Sequence, residues 1–162
     1  MGKKKRAALH NLGCKVNAYE TEAMRQLLEE AGYEIVDFTE AADVYVVNTC
    51  SVTNIADRKS RQMLRRAKRQ NPEGILVAAG CYVQTRTEDV RQDSDVDIII
   101  GNNKKQELIR LIREFEEEKG RKEAVVPINY RQPYEKLNID QTAEHTRAFI
   151  KIQDGCNQFC SY

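Results

Sequence analysis

The sequence of 162 residues lacks any long hydrophobic run. Residues 1–6 are mostly basic, and the apolar stretch that follows is too short for the hydrophobic part of a secretory signal or for a membrane span. Arg6 stands where a myristoylation signal requires Ser or Thr, so these first residues predict a solvated basic tail. We therefore expect a cytoplasmic protein without a membrane partner.

An excess of one charge is also missing, since 26 Lys and Arg face 25 Asp and Glu. The net charge therefore indicates no partner, and any basic surface must be local. Internal repeats and low-complexity tracts are absent as well. Only two histidines are present, His10 and His145, and neither belongs to a recognisable motif. We interpret both as structural or solvated.

Apolar runs of strand length alternate with amphipathic stretches of helix length. The runs predict buried strands at residues 7–12, 33–38, 44–47, 75–79 and 96–100. The stretches between and after them predict helices at residues 19–31, 54–70, 85–92 and 104–119. This alternation is typical of an α/β domain with an open, mostly parallel sheet and helices on both faces, as in flavodoxin-like or Rossmann-like domains. Residues 39–43 are short for a parallel crossover, and a single helical turn there would ease the connection.

The composition changes after this pattern ends. We assign residues 1–119 to the α/β domain. Residues 120–146 contain two prolines and no sustained periodicity, which favours a linker with one short strand at Val125 and Val126. Residues 148–152 predict a new strand, so that residues 147–162 would begin a second domain.

The five cysteines are an odd number, and a reducing cytosol disfavours disulfides. Cys14, Cys50 and Cys81 each follow a predicted strand, and the carboxyl ends of parallel strands lie along one edge of a sheet. A helix or turn begins after each of them, where backbone N–H groups favour a thiolate. Gly13 and Gly80 would let the backbone approach a bulky cluster.

Three thiolates at one edge suit a metal site with one open coordination position, on a cubane iron-sulfur cluster or on a zinc ion. The alternative is three unrelated cysteines that end strands near a core. Two further cysteines, Cys156 and Cys160, follow the strand predicted at residues 148–152. Their spacing alone could equally be half of a zinc site.

The run Cys-x-x-x-Cys-x-Tyr at residues 156–162 resembles the radical S-adenosylmethionine signature, whose third cysteine would fall directly after Tyr162. Together with the motifs at residues 12–17, 48–50 and 80–81, it resembles the methylthiotransferase family over nearly the whole chain. The opening Leu-Gly-Cys-Lys-Val-Asn is most similar to the branch that modifies threonylcarbamoyladenosine in tRNA. The isopentenyladenosine branch typically has Tyr-Gly-Cys-Gln-Met-Asn, and the branch acting on a ribosomal protein has Pro-Lys-Asn after the cysteine.

The resemblance implies two 4Fe-4S clusters and S-adenosylmethionine as cofactors. Cys14, Cys50 and Cys81 would hold an auxiliary cluster whose open iron carries the sulfur to be methylated and transferred. Cys156, Cys160 and a third cysteine would hold the cluster that binds S-adenosylmethionine, at the start of a partial TIM-type barrel. An electron from a donor such as a flavodoxin or ferredoxin would generate a 5′-deoxyadenosyl radical, which abstracts hydrogen from carbon 2 of the adenine. The protein would position the reactants. Residues 1–162 alone are expected to be inactive.

The helix predicted at residues 54–70 is the local basic surface, and Asp57 is its only acidic residue. Its cations include Arg58, Arg61, Arg65 and Arg69. They could contact tRNA phosphates or form an ordinary solvated face. Two other functions remain open at this point. One is a non-catalytic zinc or iron-sulfur RNA-binding module whose thiolates stabilise the fold. The other is a sister methylthiotransferase acting on a ribosomal protein or on isopentenyladenosine tRNA.

Overall fold

The computed structural model describes residues 3–51, 53–127, 132–139 and 150–152. Within these ranges there are six strands: β1 (Arg6–Asn11), β2 (Glu34–Val36), β3 (Val44–Thr49), β4 (Ile75–Gly80), β5 (Ile98–Ile100) and β6 (Lys122–Ala124). The helices of the same part of the chain are α1 (Lys15–Glu30), α2 (Asn54–Gln70), α3 (Cys81–Thr85), α4 (Thr87–Gln92) and α5 (Leu108–Glu117). A short 3-10 helix at Lys105–Glu107 precedes α5.

The six strands form one sheet in the order β2-β1-β3-β4-β5-β6, and every pair of neighbours is parallel. The predicted open parallel sheet is therefore confirmed. The first five strands follow the flavodoxin-like order, in which the chain changes direction across the sheet between β1 and β3. All residues of β3 and β4 are buried, as expected for central strands covered on both faces.

Helices cover both faces of the sheet, as the sequence predicted. On one face α1 and α5 pack against the strands through a cluster that includes Met24, Leu28, Leu108, Leu111 and Ile112. On the other face α2, α3 and α4 contribute Leu64, Ala67, Tyr82, Val83 and Val90. The two clusters place a continuous hydrophobic layer on each side of the strands.

The connection between β2 and β3 is short because β2 has only three residues. Strand β2 ends opposite Ala8 and β3 begins opposite Ala7, so the connection has only a short distance to cover along the strand direction. Residues 39–43 form turns and bends rather than the helical turn suggested by the sequence. Phe38 and Ala42 are buried against the sheet, and the backbone N–H of Arg6 donates to the Asp43 carboxylate at 2.7 Å.

Other boundaries differ from the sequence predictions. Helix α1 starts at Lys15 rather than residue 19. The helix predicted at residues 85–92 corresponds to α4, and α3, which precedes it with only Arg86 between them, was not predicted. The strand predicted at Val125 and Val126 is found at Lys122–Ala124, where it pairs with β5 inside the segment assigned to the linker.

The strand predicted at residues 148–152 lies partly outside the described residues. Residues 150–152 are described and form no strand, and the side chains of Ile150 and Ile152 are exposed. The division of the chain at residues 119 and 146 stays a prediction. In the part of the chain that the structure describes, no helix is long and apolar enough to span a membrane.

Candidate metal centre

Three cysteines lie at the carboxyl ends of three neighbouring strands. Cys14 is the N-cap residue of α1 just after β1, Cys50 directly follows β3, and Cys81 is the first residue of α3 after β4. The register pairs Asn11 with Asn48 and Asn48 with Ala79, so the three strands end at nearly the same level. The three cysteines therefore share one edge of the sheet, next to the point where the strand order reverses.

Two glycines with positive φ make this edge compact. At Gly13, with φ of +121°, an added Cβ would lie 2.9 Å from the Cys50 Sγ. At Gly80, with φ of +98°, an added Cβ would lie 2.5 Å from the Asn48 Oδ1 and 2.6 Å from the Thr49 carbonyl oxygen. Any larger side chain would collide with these neighbours. The glycines thus bring the cysteine-bearing segments against one another.

The three thiols have different environments: Cys14 is exposed, Cys81 is half-buried, and Cys50 is buried. Burial raises the pKa of the Cys81 thiol, although an amide donor from Asn102, at 3.9 Å from Nδ2 to Sγ, and the charge of Lys105 oppose this shift. This direction is opposite to the thiolate expected from a helix start, and burial is its largest cause. Coordination to a metal would itself deprotonate the thiol.

Buried polar side chains fix the backbone around the cysteines. The Asn17 amide donates to the carbonyl oxygens of Leu12 and Thr49, both at 2.9 Å, and so ties the segment after β1 to the end of β3. The Cys50 N–H donates to the Ser60 Oγ at 3.3 Å, and the Ser60 hydroxyl donates back to the Cys50 carbonyl at 3.0 Å. These contacts set where the two thiols start from the backbone.

Among the described residues, no three Cys, His, Asp or Glu side chains lie close enough to hold one metal ion together. A cubane cluster does not require such a meeting point, because each of its cysteines binds a different iron. Soft thiol ligands on three adjacent strand ends, close packing at Gly13 and an amide donor to the Cys81 sulfur fit a cluster of this kind.

A protein family model, described as the uncharacterized protein family UPF0004, matches residues 6–101, which is more than half of the chain. The chain belongs to this family. The UPF0004 match contains β1 through β5 and all three cysteines at the sheet edge.

Curated relatives of this UPF0004 chain carry names that agree with its cysteine motifs. The threonylcarbamoyladenosine tRNA methylthiotransferase MtaB of Bacillus subtilis (strain 168) is 48% identical over 96% of this chain and 34% of its own length. The protein of the same name from Aquifex aeolicus (strain VF5) is 38% identical over 97% of this chain and 38% of its own length. A tRNA-2-methylthio-N(6)-dimethylallyladenosine synthase of Escherichia coli O1:K1 is 34% identical over 98% of this chain and 34% of its own length. The chain thus spans about a third of the length of these relatives, and its resemblance to methylthiotransferases is confirmed.

The other predicted site residues are placed as follows. Cys156, Cys160 and His145 lie outside the described residues. His10 packs against the Phe38 ring with 5.0 Å between the ring centroids, and burial lowers the pKa of its imidazole, in agreement with a structural role.

The basic helix α2 also lies within the UPF0004 match. Ser60, Leu64 and Ala67 are buried on the side of α2 that faces the sheet. Four arginines line a shallow groove of about 440 Å³ on the solvent side: Arg58, Arg61, Arg65 and Arg69. Arg61 lies over the Tyr82 ring, 5.9 Å from its centroid, and in the described ranges the other three form no ion pair with a carboxylate. Their charges are therefore available to an anionic partner.

Sequence reasoning missed the buried polar residues around this edge. Asn17 and Asn48 lie within the motifs at residues 12–17 and 48–50, and Glu20 and Lys105 lie within the helices predicted at residues 19–31 and 104–119, but no sequence pattern assigns any of the four a role. A signal for Glu20 existed, because Asn17, Glu20, Met24 and Leu28 are spaced three and four residues apart and so share the buried face of α1.

Proposed function

We propose that this chain is part of a tRNA methylthiotransferase that adds a methylthio group to carbon 2 of N6-threonylcarbamoyladenosine next to the anticodon. The observation that carries the proposal is the position of Cys14, Cys50 and Cys81 at three adjacent strand ends of one parallel sheet. The names of the relatives support it, since the two MtaB proteins are named for this nucleoside. The identity of 48% to the Bacillus subtilis protein, against 34% to the dimethylallyladenosine enzyme, supports this branch.

In this proposal Cys14, Cys50 and Cys81 hold an auxiliary 4Fe-4S cluster, while Cys156 and Cys160 with a third cysteine hold the cluster that binds S-adenosylmethionine. When bound, these cofactors supply the sulfur and the radical chemistry that an unactivated aromatic C–H bond requires. A flavodoxin or ferredoxin would deliver the electron in the cytoplasm. Residues 1–119 would form the auxiliary-cluster domain, residues 120–146 a linker, and residues 147–162 the start of the radical domain.

The described residues would contribute positioning and exclusion of water. Asn17 and Ser60 hold the backbone next to Cys14 and Cys50, and Asn102 places an N–H donor at the Cys81 sulfur. Burial of Cys50 keeps bulk water from one side of the site. A hydrogen bond to a ligating sulfur and a restricted approach of solvent are both means by which proteins adjust cluster potentials.

The nucleoside content of tRNA tests this function. The complete gene is expressed in a host that lacks its own methylthiotransferase genes, and digested tRNA is analysed by mass spectrometry. We expect 2-methylthio-N6-threonylcarbamoyladenosine to appear with the wild-type gene and to be absent with the Cys50→Ala variant. A methylthio group only on isopentenyladenosine in the same digest, or only on a ribosomal protein when its peptides are analysed by mass spectrometry, would assign the chain to a sister branch. No methylthio group anywhere would favour a non-catalytic RNA-binding module.

We further propose that the arginines of α2 contact tRNA phosphates. Replacing Arg61, Arg65 and Arg69 by Ala in the complete enzyme removes three exposed cations, so the slope of log affinity against log salt should fall by about 2. Filter binding or fluorescence anisotropy at several salt concentrations measures this slope. A matched variant replaces Arg110, Arg113 and Lys119, which are exposed in or just after α5 on the other face of the sheet. If both variants bind tRNA like the wild type, α2 does not form the contact.

A further inference from the structure

A group of buried charges lies beside the cysteine edge. The Glu20 carboxylate on α1 accepts from two lysines, with 2.9 Å from Oε2 to the Lys105 Nζ and 2.9 Å from Oε1 to the Lys151 Nζ. The side chains of Glu20, Lys105 and Lys151 are only 5%, 0% and 3% exposed, respectively. We call these three residues the Glu20 cluster.

The charges of this cluster depend on one another. Burial alone would raise the pKa of Glu20, but the two ammonium groups outweigh it and the pKa is lowered. A second buried carboxylate, Glu135, interacts electrostatically with all three residues of the cluster. Burial raises the pKa of Glu135, although the backbone N–H of Gln106 donates a hydrogen bond to its carboxylate at 2.7 Å and opposes this shift. Separating a buried ion pair leaves an unpaired buried charge and is strongly destabilising, so both lysines are held at the Glu20 carboxylate.

One arm of the Glu20 cluster reaches the candidate metal centre. The Lys105 Nζ donates to the Asn102 Oδ1 at 3.2 Å, and the Asn102 amide nitrogen lies 3.9 Å from the Cys81 Sγ. Asn102 is held in turn by the Gln84 side chain, which accepts from its backbone N–H at 3.0 Å. Glu20 is therefore connected to the Cys81 thiol through two side chains.

The other arm holds the segment that leads to the second cysteine motif. Lys151 precedes Cys156 by five residues, which limits the separation of their Cα atoms to about 18 Å. The neighbours Ile150 and Ile152 are 83% and 86% exposed, so apolar burial does not fix the position of Lys151. Tyr134 contributes a hydrogen bond from its hydroxyl to the Lys151 carbonyl.

Further polar contacts hold residues 132–139 against the same elements. The Tyr19 hydroxyl, next to Glu20 on α1, donates to the Leu137 carbonyl at 2.8 Å. The Gln106 side chain, next to Lys105, donates to the Lys136 carbonyl at 2.7 Å. Tyr19 and Gln106, the neighbours of Glu20 and Lys105, thus both bind the segment of residues 132–139.

We propose that Glu20 and Lys105 are positioning residues that seat Lys151 and thereby hold the segment before Cys156 beside Cys81. The inference rests on the proposed function, in which the two cysteine sets serve one active site. The buried Glu20 carboxylate binds the Lys151 ammonium through Oε1 and the Lys105 ammonium through Oε2, and the short tether to Cys156 then confines the second motif to the neighbourhood of the first. Transfer between two cofactors requires such confinement, since a displacement of about 1 Å can cost about a hundredfold in rate.

The first test measures the order of the segment without any cofactor. In the 162-residue chain, the NMR order parameters of the backbone N–H groups of residues 150–152 should be about 0.85 in the wild type and below about 0.6 in Lys151→Met. This variant keeps most of the length of the side chain, removes the charge and leaves Glu20 paired with Lys105. The control, Lys5→Met, removes an exposed ion pair with Glu116 and should change nothing at residues 150–152. Equal order parameters in Lys151→Met and the wild type would overturn the proposal.

The second test uses the complete enzyme reconstituted with iron and sulfide. Lys151→Met should retain its iron, but the methylthio groups transferred per 5′-deoxyadenosine formed should fall by about tenfold or more. An unchanged ratio would contradict a positioning role. Glu20→Gln should lower the ratio as well, and Lys151→Met decides the matter if Glu20→Gln does not fold. A wild-type protein without bound iron would refute the proposed function instead, while the order parameters would still decide the role of Glu20 and Lys105.

Discussion

Replacing Cys50 by alanine should reduce the iron bound by the anaerobically reconstituted chain from about four atoms to nearly none. Cys50 follows the central strand β3, between the strands that lead to Cys14 and Cys81. Both the backbone N–H and the backbone carbonyl of Cys50 are hydrogen-bonded to the Ser60 hydroxyl. Alanine keeps the Cβ and these backbone contacts, so the substitution removes the ligand and leaves the fold. Cys14→Ala and Cys81→Ala should give the same loss.

The chain contains its own control for this experiment. A variant in which both Cys156 and Cys160 are alanine removes two thiols but should still bind about four irons, because the complete set of three at the sheet edge is intact. Iron and sulfide assays with the visible absorption spectrum measure the cluster, and thermal unfolding of the metal-free variants checks the fold. A colourless protein that binds zinc through the same cysteines would contradict the cluster assignment and favour the non-catalytic alternative.

Replacing Gly80 by alanine should destabilise the domain by about 3–5 kcal/mol, a large part of the usual stability of a small domain. The Gly80 backbone, with φ of +98° and ψ of −159°, lies in a region that essentially only glycine adopts, and it costs a residue with a Cβ about 1–3 kcal/mol. At Gly80 the Cβ would also approach the Thr49 carbonyl oxygen to 2.6 Å, and this backbone oxygen cannot move aside because β3 and β4 pair along their whole length. The strain would fall on two fully buried strands, immediately before Cys50 and Cys81.

Two other glycines separate the contributions. Gly32 has φ of +92° but no atom within 4 Å of an added Cβ, so Gly32→Ala should cost only the conformational part, about 1–2 kcal/mol. Gly120 has no such atom and no positive φ, so Gly120→Ala should stay within about 0.5 kcal/mol of the wild type. Urea unfolding curves of the three variants measure the differences. A Gly80→Ala variant as stable as Gly32→Ala would show that β3 and β4 can separate at this edge.

Much of the fold could be predicted because its signals are local. Helix α2 begins and ends where the sequence predicted, since Thr53 caps its first turn and Pro72 follows its last. Strands β3 and β4 are continuous apolar runs, which buried parallel strands require. The common edge of Cys14, Cys50 and Cys81 follows from the same logic, because parallel strands put their carboxyl ends together.

The features that the sequence did not reveal depend on distant partners. Glu20 is buried because Lys151, 131 positions along the chain, meets it, and no periodicity reports such a pair. Helix α1 starts earlier than predicted. Its N-cap residue is Cys14, which makes no side-chain capping hydrogen bond, so the usual sequence signal of a helix start is absent. The raised pKa of the Cys81 thiol likewise results mainly from tertiary burial, which no local sequence pattern reports.

The two hydrophobic layers of the sheet contain none of the three cysteines at its edge. Burial of the apolar side chains in these two layers stabilises the domain without any ligand. A zinc finger differs, because its folding free energy comes from metal binding. If this edge holds the proposed cluster, its oxidative loss would therefore leave a folded domain with the three cysteines still at one edge. Reloading iron and sulfide would then restore the site without synthesis of a new chain.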